Sequence, residues 1–248
     1  MVASETLDHA TRAYYDEFSL SYEAQRRPNR PDGYHALVDD LEVDLVERYA
    51  AGKDVLECGV GTGLLLQRIA RFSHAVVGID SSIGMLEKAR ARGLDVREAT
   101  VTSLPFVDGR FDVTCAFKVL AHVQDIGRAL GEMARVTKPG GVVLAEFYNP
   151  LSMRALVKRL GPAGRISHKT RESALYTRFD PPWIVPRIMP PSVTFEAARG
   201  VRIVTPAAQL MRVPGVGAAL RAIERRLADT RAAFFAGFYV AVLRKKEG

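Results

Sequence analysis

Short apolar runs alternate with amphipathic stretches along the first 150 residues of the chain. The runs have the length of buried strands, whereas the stretches repeat their apolar positions at helical spacing. Parallel strands need long crossover connections, so this alternation predicts an α/β protein with a mostly parallel sheet. The clearest predicted strands are Val55–Cys58, His74–Asp80, Phe111–Phe117 and Val142–Phe147, and the helices between them include Leu64–Phe72 and Met85–Arg92.

Aromatic residues repeat at helical spacing near the N-terminus. Tyr14, Phe18 and Tyr22 lie four residues apart, so they share one face of a predicted helix. Such a stripe serves either packing or contact with a ligand, and both interpretations stay open. Prolines and a glycine in residues 27–33 predict a hinge or turn. A second helix is predicted from about His35 to Tyr49, with a sheet-facing side formed by Leu37, Leu41, Leu45 and Val46.

The second half of the chain has a less regular pattern. Two further strands are predicted at Val201–Val204 and Phe238–Leu243, and the long connection between them carries a predicted helix, Val216–Asp229. Residues 151–199 hold six prolines and the only tryptophan, Trp183. A connection of this length inside a compact domain is often functional, so we predict a substrate lid. A surface excursion packed on the sheet edge is the alternative.

Length and composition favour one globular domain. The chain has 248 residues, of which 48% are hydrophobic and 25% charged, which is usual for a water-soluble protein. No apolar stretch is long enough to span a membrane, and no signal peptide is recognisable, so we expect a cytoplasmic protein. Cys58 and Cys115 fall on neighbouring predicted strands and are expected to be buried, reduced thiols. No cluster of histidine and cysteine implies a metal.

The charge of the chain is unevenly distributed. Residues 1–150 hold 17 basic and 22 acidic side chains, a balance of −5, whereas residues 151–248 hold 18 and 6, a balance of +12. A basic half attracts anionic partners, although arginines spread over a solvated surface are the plainer interpretation. No nucleic-acid-binding motif accompanies the charge, so nucleic acid is not expected as a partner. The sequence leaves the oligomeric state open.

A glycine-rich turn follows the first predicted strand. Glu57 precedes Gly59, Gly61 and Gly63, and the helix beginning at Leu64 comes directly after them. Glycine permits positive φ and close approach of backbone N–H groups to a ligand, and a helix N-terminus favours a negative group. The turn therefore predicts a nucleotide-like ligand, with an ordinary tight turn as the alternative. A dinucleotide fingerprint would have its third glycine where Leu64 stands.

Four later elements follow this E-x-G-x-G-x-G run in order: Asp80 after the second strand, Leu104-Pro105-Phe106, Leu120–Asp125 and Arg135–Gly141. Together they resemble the class I S-adenosylmethionine (SAM)-dependent methyltransferases, and the small-molecule, type 11-like group in particular, over roughly residues 40–150. The resemblance implies a doubly wound, seven-stranded, Rossmann-like sheet with an antiparallel last strand and a lid insertion after strand five. It divides the single domain 1–248 into an N-terminal lid helix (1–35), a SAM-binding core (36–150), the substrate lid (151–199) and sheet-closing elements (200–248).

The resemblance also implies a cofactor site for SAM, which leaves as S-adenosylhomocysteine. Asp80 would accept hydrogen bonds from the ribose hydroxyls, unless it is a helix N-cap, a role that Ser81 or Ser82 could fill instead. Thr100 stands where the family often has an acid for the adenine amino group, which predicts a weaker contact there. The implied cofactor residues are Glu57, Gly59, Gly61, Gly63, Asp80, Ser81, Met85, Thr100, Val101, Thr102, Phe117 and Lys118.

Methyl transfer is an in-line displacement that depends mainly on orientation, and it needs a base only when the nucleophile is protonated. His122, just after the fourth strand, is the candidate base, with a structural histidine as the alternative. The predicted substrate contacts are Tyr22, His122, Tyr148, Asn149 and Trp183. We therefore predict a SAM-dependent methyltransferase acting on a small or lipid-like acceptor, anionic or apolar. A SAM-binding regulatory module and, less favoured, an NAD(P)-dependent oxidoreductase are the alternatives.

Overall fold

A computed structural model describes residues 2–26, 33–153, 155 and 176–247. These residues form seven helices and seven strands, with short 3₁₀ turns between some of them. The helices are α1 (Val2–Gln25), α2 (Tyr34–Ala50), α3 (Leu64–Ile69), α4 (Ile83–Arg90), α5 (Ile126–Val136), α6 (Val185–Ile188) and α7 (Val216–Leu227). The strands are β1 (Asp54–Cys58), β2 (Ala75–Asp80), β3 (Val96–Glu98), β4 (Phe111–Ala116), β5 (Thr137–Tyr148), β6 (Val193–Val201) and β7 (Phe238–Lys245).

The seven strands form one sheet in the order β3-β2-β1-β4-β5-β7-β6. Strands β1 to β5 pair in parallel, and β7 is antiparallel to both of its neighbours, β5 and β6. The order reverses between β1 and β4, and open α/β sheets bind ligands at the carboxyl ends of strands at such a reversal. The predicted fold class, including the antiparallel last strand, is confirmed.

The sheet is covered on both faces. On one face α5 packs through Leu130 and Met133 against a cluster that includes Leu56 of β1. On the other face α2 packs against a cluster that includes Val55, the neighbour of Leu56. Alternate residues of one strand therefore serve two cores, as the two-residue repeat of a strand requires. The predicted sheet-facing side of α2, from Leu37 to Val46, is buried.

The predicted strand Val201–Val204 is wrong. The strand at this position, β6, ends at Val201, and Arg202 takes a positive φ of 64° that turns the chain away from the sheet. The backbone N–H groups of residues 203–205 then donate to the carboxylate of Glu224 on α7, at 2.7 to 2.9 Å. A buried carboxylate that accepts these donors satisfies them outside the sheet.

The predicted substrate lid is only partly described. Residue 154 and residues 156–175 lie outside the described residues, so the lid remains a prediction. Strand β6 occupies residues 193–201, so the end of the predicted lid segment belongs to the sheet. The predicted helix Val216–Asp229 corresponds to α7, which ends two residues earlier, at Leu227.

Candidate active site

The glycine turn joins β1 to α3 through three left-handed residues. Gly59, Gly61 and Gly63 have φ angles of 74°, 54° and 80°. The N–H groups of Gly59 and Val60 both donate to the carbonyl of Ile79 on β2, at 2.7 and 2.9 Å. A side chain at position 59 would collide with the loop after β4, which passes close beneath the turn. Glycine is therefore required here by both conformation and space.

Asp80 ends β2 and is bonded to the same turn. One carboxylate oxygen accepts from the Gly61 N–H and the other from the Ser82 N–H, both at 2.9 Å. Burial raises the pKa of Asp80, while these N–H bonds oppose the rise. The N-cap of α4 is Ser82, whose hydroxyl accepts from the Met85 N–H at 3.1 Å. Asp80 is thus not the cap, and its remaining lone pairs lie at the cleft.

A cleft of about 1530 Å³ lies over the carboxyl ends of the strands. Ligand sites typically measure about 300–1,000 Å³, so this cleft has room for a cofactor and an acceptor together. Most predicted cofactor residues line it: Glu57, Gly59, Gly61, Asp80, Ser81, Met85, Thr100, Val101, Thr102, Phe117 and Lys118. Gly63 does not line the cleft; it is the N-cap residue of α3. The hydroxyls of Thr100 and Thr102 are 3.1 Å apart and hydrogen-bonded to each other.

Glu57 is the clearest sign that the cleft takes a cationic group. The side chain is buried at the end of β1, and burial raises its pKa well above the ordinary value. Its Oε2 atom has no hydrogen-bond partner among the described residues. A buried polar atom without a partner is costly, so a ligand ammonium in the cleft would supply what the protein omits. The residues present therefore fit SAM.

Two more buried acids, Glu42 and Glu146, lie beside Lys118, and the sequence analysis did not predict them. The Lys118 Nζ lies 2.8 and 2.7 Å from the two carboxylate oxygens of Glu42 on α2. The backbone N–H of Lys118 donates to Glu146 Oε1 on β5 at 2.9 Å. Lys118 itself has a strained φ of 60°. Burial raises the pKa of Glu42 and of Glu146. The signal in the sequence was an acid on the apolar face of a helix and another inside an apolar strand.

Aromatic rings from α1 form one wall of the cleft. The predicted stripe of Tyr14, Phe18 and Tyr22 lines it, and the neighbouring Tyr15, which the stripe did not include, lines it too. Successive rings are in contact, with centroids 5.5 Å apart for Tyr14–Phe18 and for Phe18–Tyr22. This face of the helix therefore lines the cleft, where it can contact a ligand, in addition to packing its own rings together.

Polar contacts hold α1 beside the cleft. Asp16 accepts hydrogen bonds from the Ser82 hydroxyl at 2.6 Å and from the Gly84 N–H at 3.0 Å. Arg92, just past α4, forms an ion pair with Glu23 near the end of α1. These contacts fix the helix against α4, on the side of the cleft where Asp80 lies.

His122 sits on a 3₁₀ turn after β4, between two tyrosines. Its ring centroid lies 6.1 Å from that of Tyr15 and 6.0 Å from that of Tyr148. The Nδ1 atom is 3.0 Å from the Tyr176 carbonyl, which can only accept, so Nδ1 carries the proton. In the neutral imidazole the lone pair is then on Nε2, the arrangement that a general base needs.

The remaining predicted substrate contacts differ in position. Tyr148 lines the cleft, and burial raises its pKa. Asn149 also borders it, but its amide group holds the loops: Nδ2 donates to the carbonyls of Phe234 and Ala236, at 2.8 and 3.0 Å. Trp183 lies outside the cleft, on the surface.

Comparison with known proteins agrees with this geometry. Residues 56–145 match the family described as "Methyltransferase domain". The match covers a little over a third of the chain. The resemblance inferred from the motifs is thereby confirmed for the part of the chain that carries β1 to β5.

Two of the relatives that the chain matches are named as methyltransferases. A demethylmenaquinone methyltransferase of Renibacterium salmoninarum is 41% identical over 102 residues, covering 40% of this chain and 43% of the relative. A ubiquinone/menaquinone biosynthesis C-methyltransferase of Bdellovibrio bacteriovorus is 42% identical over 106 residues, covering 39% and 45%. The chain thus spans less than half the length of these two relatives.

Solved structures share the fold across nearly the whole chain. A SAM-dependent methyltransferase of Thermotoga maritima, described as a possible histamine N-methyltransferase, superposes with a TM-score of 0.66 at 20% identity, covering 95% of this chain and 99% of that one. A putative methyltransferase in complex with the Haloferax volcanii Trm112 activator gives 0.63 at 17% identity, covering 94% and 98%. The chain therefore has the fold of SAM-dependent methyltransferases. Within the described residues, no helix is both long and apolar enough to cross a membrane.

Proposed function

We propose that the chain is a SAM-dependent methyltransferase acting on a small, apolar, ring-bearing acceptor. One observation carries the proposal: in the region that matches the methyltransferase family, Asp80 accepts a hydrogen bond from the glycine turn, beside a buried Glu57 oxygen that has no partner among the described residues. A site that offers backbone N–H groups, an acid able to accept from hydroxyls and a buried carboxylate oxygen with no partner among the described residues suits a cationic nucleoside.

Each part of the cofactor would meet a different strand end. Gly59, Gly61 and Glu57 would hold the amino-acid end, and Asp80 would accept from the ribose hydroxyls. Residues 99–102 line the cleft where the adenine would lie, and Val101 can offer its backbone N–H. When bound, SAM supplies an activated methyl group on a sulfonium. The protein's part is then to hold the acceptor in line and to remove a proton where the acceptor has one.

The acceptor would lie between α1 and the loops after β4 and β5. Tyr15, His122 and Tyr148 form a continuous run of rings there, which favours a flat apolar ring over a flexible polar molecule. Relatives named for demethylmenaquinone make a quinol the first acceptor to test. His122 Nε2 would take the hydroxyl or ring proton, while the Tyr176 carbonyl keeps Nδ1 protonated. We also propose a cytoplasmic location, which the two free, buried cysteines support.

Calorimetric titration with SAM and, separately, with NADH tests the cofactor. SAM binding without NADH binding is expected. In Gly61→Ala the added Cβ enters the cleft, so SAM affinity should fall at least tenfold. Gly215→Ala is the matched control, because Gly215 also has positive φ and open space around it but lies away from the cleft. Equal SAM affinity in the two variants would show that the glycine turn is not part of the SAM site.

Catalysis is tested by S-adenosylhomocysteine formation with reduced quinone acceptors. His122→Asn should lower the rate by about 10²–10⁴-fold, the usual contribution of a general base, with SAM affinity unchanged. Product formation would eliminate the non-catalytic SAM-binding alternative. SAM binding without turnover on quinols, phenols or amines would favour that alternative.

A further inference from the structure

Four exposed aromatic side chains form a patch beside the cleft. Phe179, Trp183, Phe234 and Phe235 are 58%, 48%, 37% and 56% exposed. The ring centroids of Trp183 and Phe234 are 5.8 Å apart, and those of Phe234 and Phe235 are 5.4 Å apart. Contiguous exposed rings of this kind mark interaction surfaces rather than ordinary solvated surface. These four residues are called the aromatic patch below.

The aromatic patch is continuous with the rim of the cleft. Phe179 lines the cleft, with its ring centroid 6.2 Å from that of Tyr148, and it lies four residues before Trp183 in the chain. Asn149 ties the other side of the patch to the end of β5, through its bond to the Phe234 carbonyl at 2.8 Å. Whatever covers the patch therefore lies next to the opening through which an acceptor would pass.

The surroundings of the aromatic patch are positive. Arg187 and Arg231 are exposed beside Trp183 and Phe234 in the chain, and neither forms an ion pair within the described residues. The nearby acid Asp180 is already paired with Arg178, at 2.7 Å.

We propose that the aromatic patch docks on the surface of an anionic lipid bilayer. Aromatic rings flanked by arginines suit the interface of such a bilayer, where the rings enter the headgroup region and the cations meet lipid phosphates. Docking brings the cleft rim to the lipid, so an apolar acceptor enters without crossing water. That consequence rests on the proposed function, whereas the docking does not.

Sedimentation with lipid vesicles tests the docking without any catalysis. The full chain should pellet with phosphatidylcholine vesicles that contain phosphatidylglycerol, and far less with phosphatidylcholine alone. Phe235→Ser should weaken the association by roughly tenfold, the order expected for one apolar side chain kept out of the interface. Arg231→Gln should weaken it about fivefold, in the anionic vesicles only.

Phe195→Ser is the matched control for Phe235→Ser. Phe195 is 40% exposed but lies near the start of β6, at the sheet edge opposite the cleft, so its variant should bind vesicles as the unmodified chain does. Absence of vesicle binding, or equal losses in the two serine variants, would overturn the proposal. So would a dimer, detected by analytical ultracentrifugation, that Phe235→Ser dissociates, because the patch would then be covered by a second copy. SAM titration of each variant separates failure of docking from failure of the cofactor site.

Discussion

Replacing Lys118 with methionine isolates the energetic role of the buried acidic cluster. Lys118→Met approximates the apolar stem of the lysine and removes the ammonium that lies 2.7 and 2.8 Å from the Glu42 oxygens. Glu42 is then left fully buried without its cation. Removing one partner of a buried ion pair typically costs about 3–5 kcal/mol, because the remaining charge stays desolvated. The lysine side chain is 30% exposed, so we expect the lower end, about 3 kcal/mol.

The double variant Glu42→Gln/Lys118→Met separates this effect from lost packing. The neutral amide removes the unpaired charge, so we expect most of the loss to be recovered, leaving a deficit of about 1 kcal/mol. Urea unfolding followed by circular dichroism measures both free energies of unfolding. A double variant as unstable as the sum of the two single variants would refute the reasoning. So would a Lys118→Met variant within about 1 kcal/mol of the unmodified chain.

The loss in Lys118→Met should also depend on pH. Burial already raises the pKa of Glu42, with Lys118 opposing the rise, so removal of the lysine raises that folded-state pKa further. A raised folded-state pKa stabilises the protein below the unfolded value and loses that contribution as pH rises through the folded value. The destabilisation relative to the unmodified chain should therefore be smaller at about pH 5 than at about pH 8. A pH-independent difference would exclude Glu42 as the group responsible.

Three further substitutions test other parts of the site. Gly59→Ala would put a Cβ 2.0 Å from Val119 at a φ of 74°, so both the melting temperature and SAM affinity should fall; an unchanged melting temperature would contradict the packing argument. Asp16→Ala should release α1, seen as faster amide exchange in that helix with unchanged exchange in β4, together with weaker SAM binding. Glu224→Ala leaves backbone donors in the chain after β6 without an acceptor and should cost about 3 kcal/mol in urea unfolding, with SAM affinity retained; a loss below about 1 kcal/mol would show that water replaces the carboxylate.

The parts of the fold that follow from local sequence were predictable. The apolar runs of β1, β2, β4 and β5 and the crossover helices between them are each visible within a short window of the chain. Strand β6 was misplaced because Val201, Ile203 and Val204 are apolar and β-branched, yet the backbone N–H groups of residues 203–205 donate to Glu224, about 20 residues further on. Glu224 competes with sheet pairing for these donors through a tertiary contact, which the local hydrophobic pattern cannot indicate.

The candidate site divides along the same line. The glycine turn and Asp80 are recognisable because their spacing is local, and they line one cleft. Glu42 and Glu146 come from distant elements and meet only around Lys118. The hydrophobic pattern could show that each is an acid at an apolar position, but it could not show what each contacts. Trp183 was predicted as a cleft wall because it is the only tryptophan in a long connection, and it lies on the surface instead.

Several polar contacts hold α1 against α4 and β3, beside the cleft. Asp16 reaches the first turn of α4 through two hydrogen bonds, and ion pairs join Arg12 to Glu98 and Glu23 to Arg92. Interactions of this kind weaken as salt rises, whereas the apolar cores on either face of the sheet do not. Ionic strength therefore acts selectively on the helix that forms one wall of the cleft, so release of a bound ligand should quicken with salt at concentrations that leave the sheet intact.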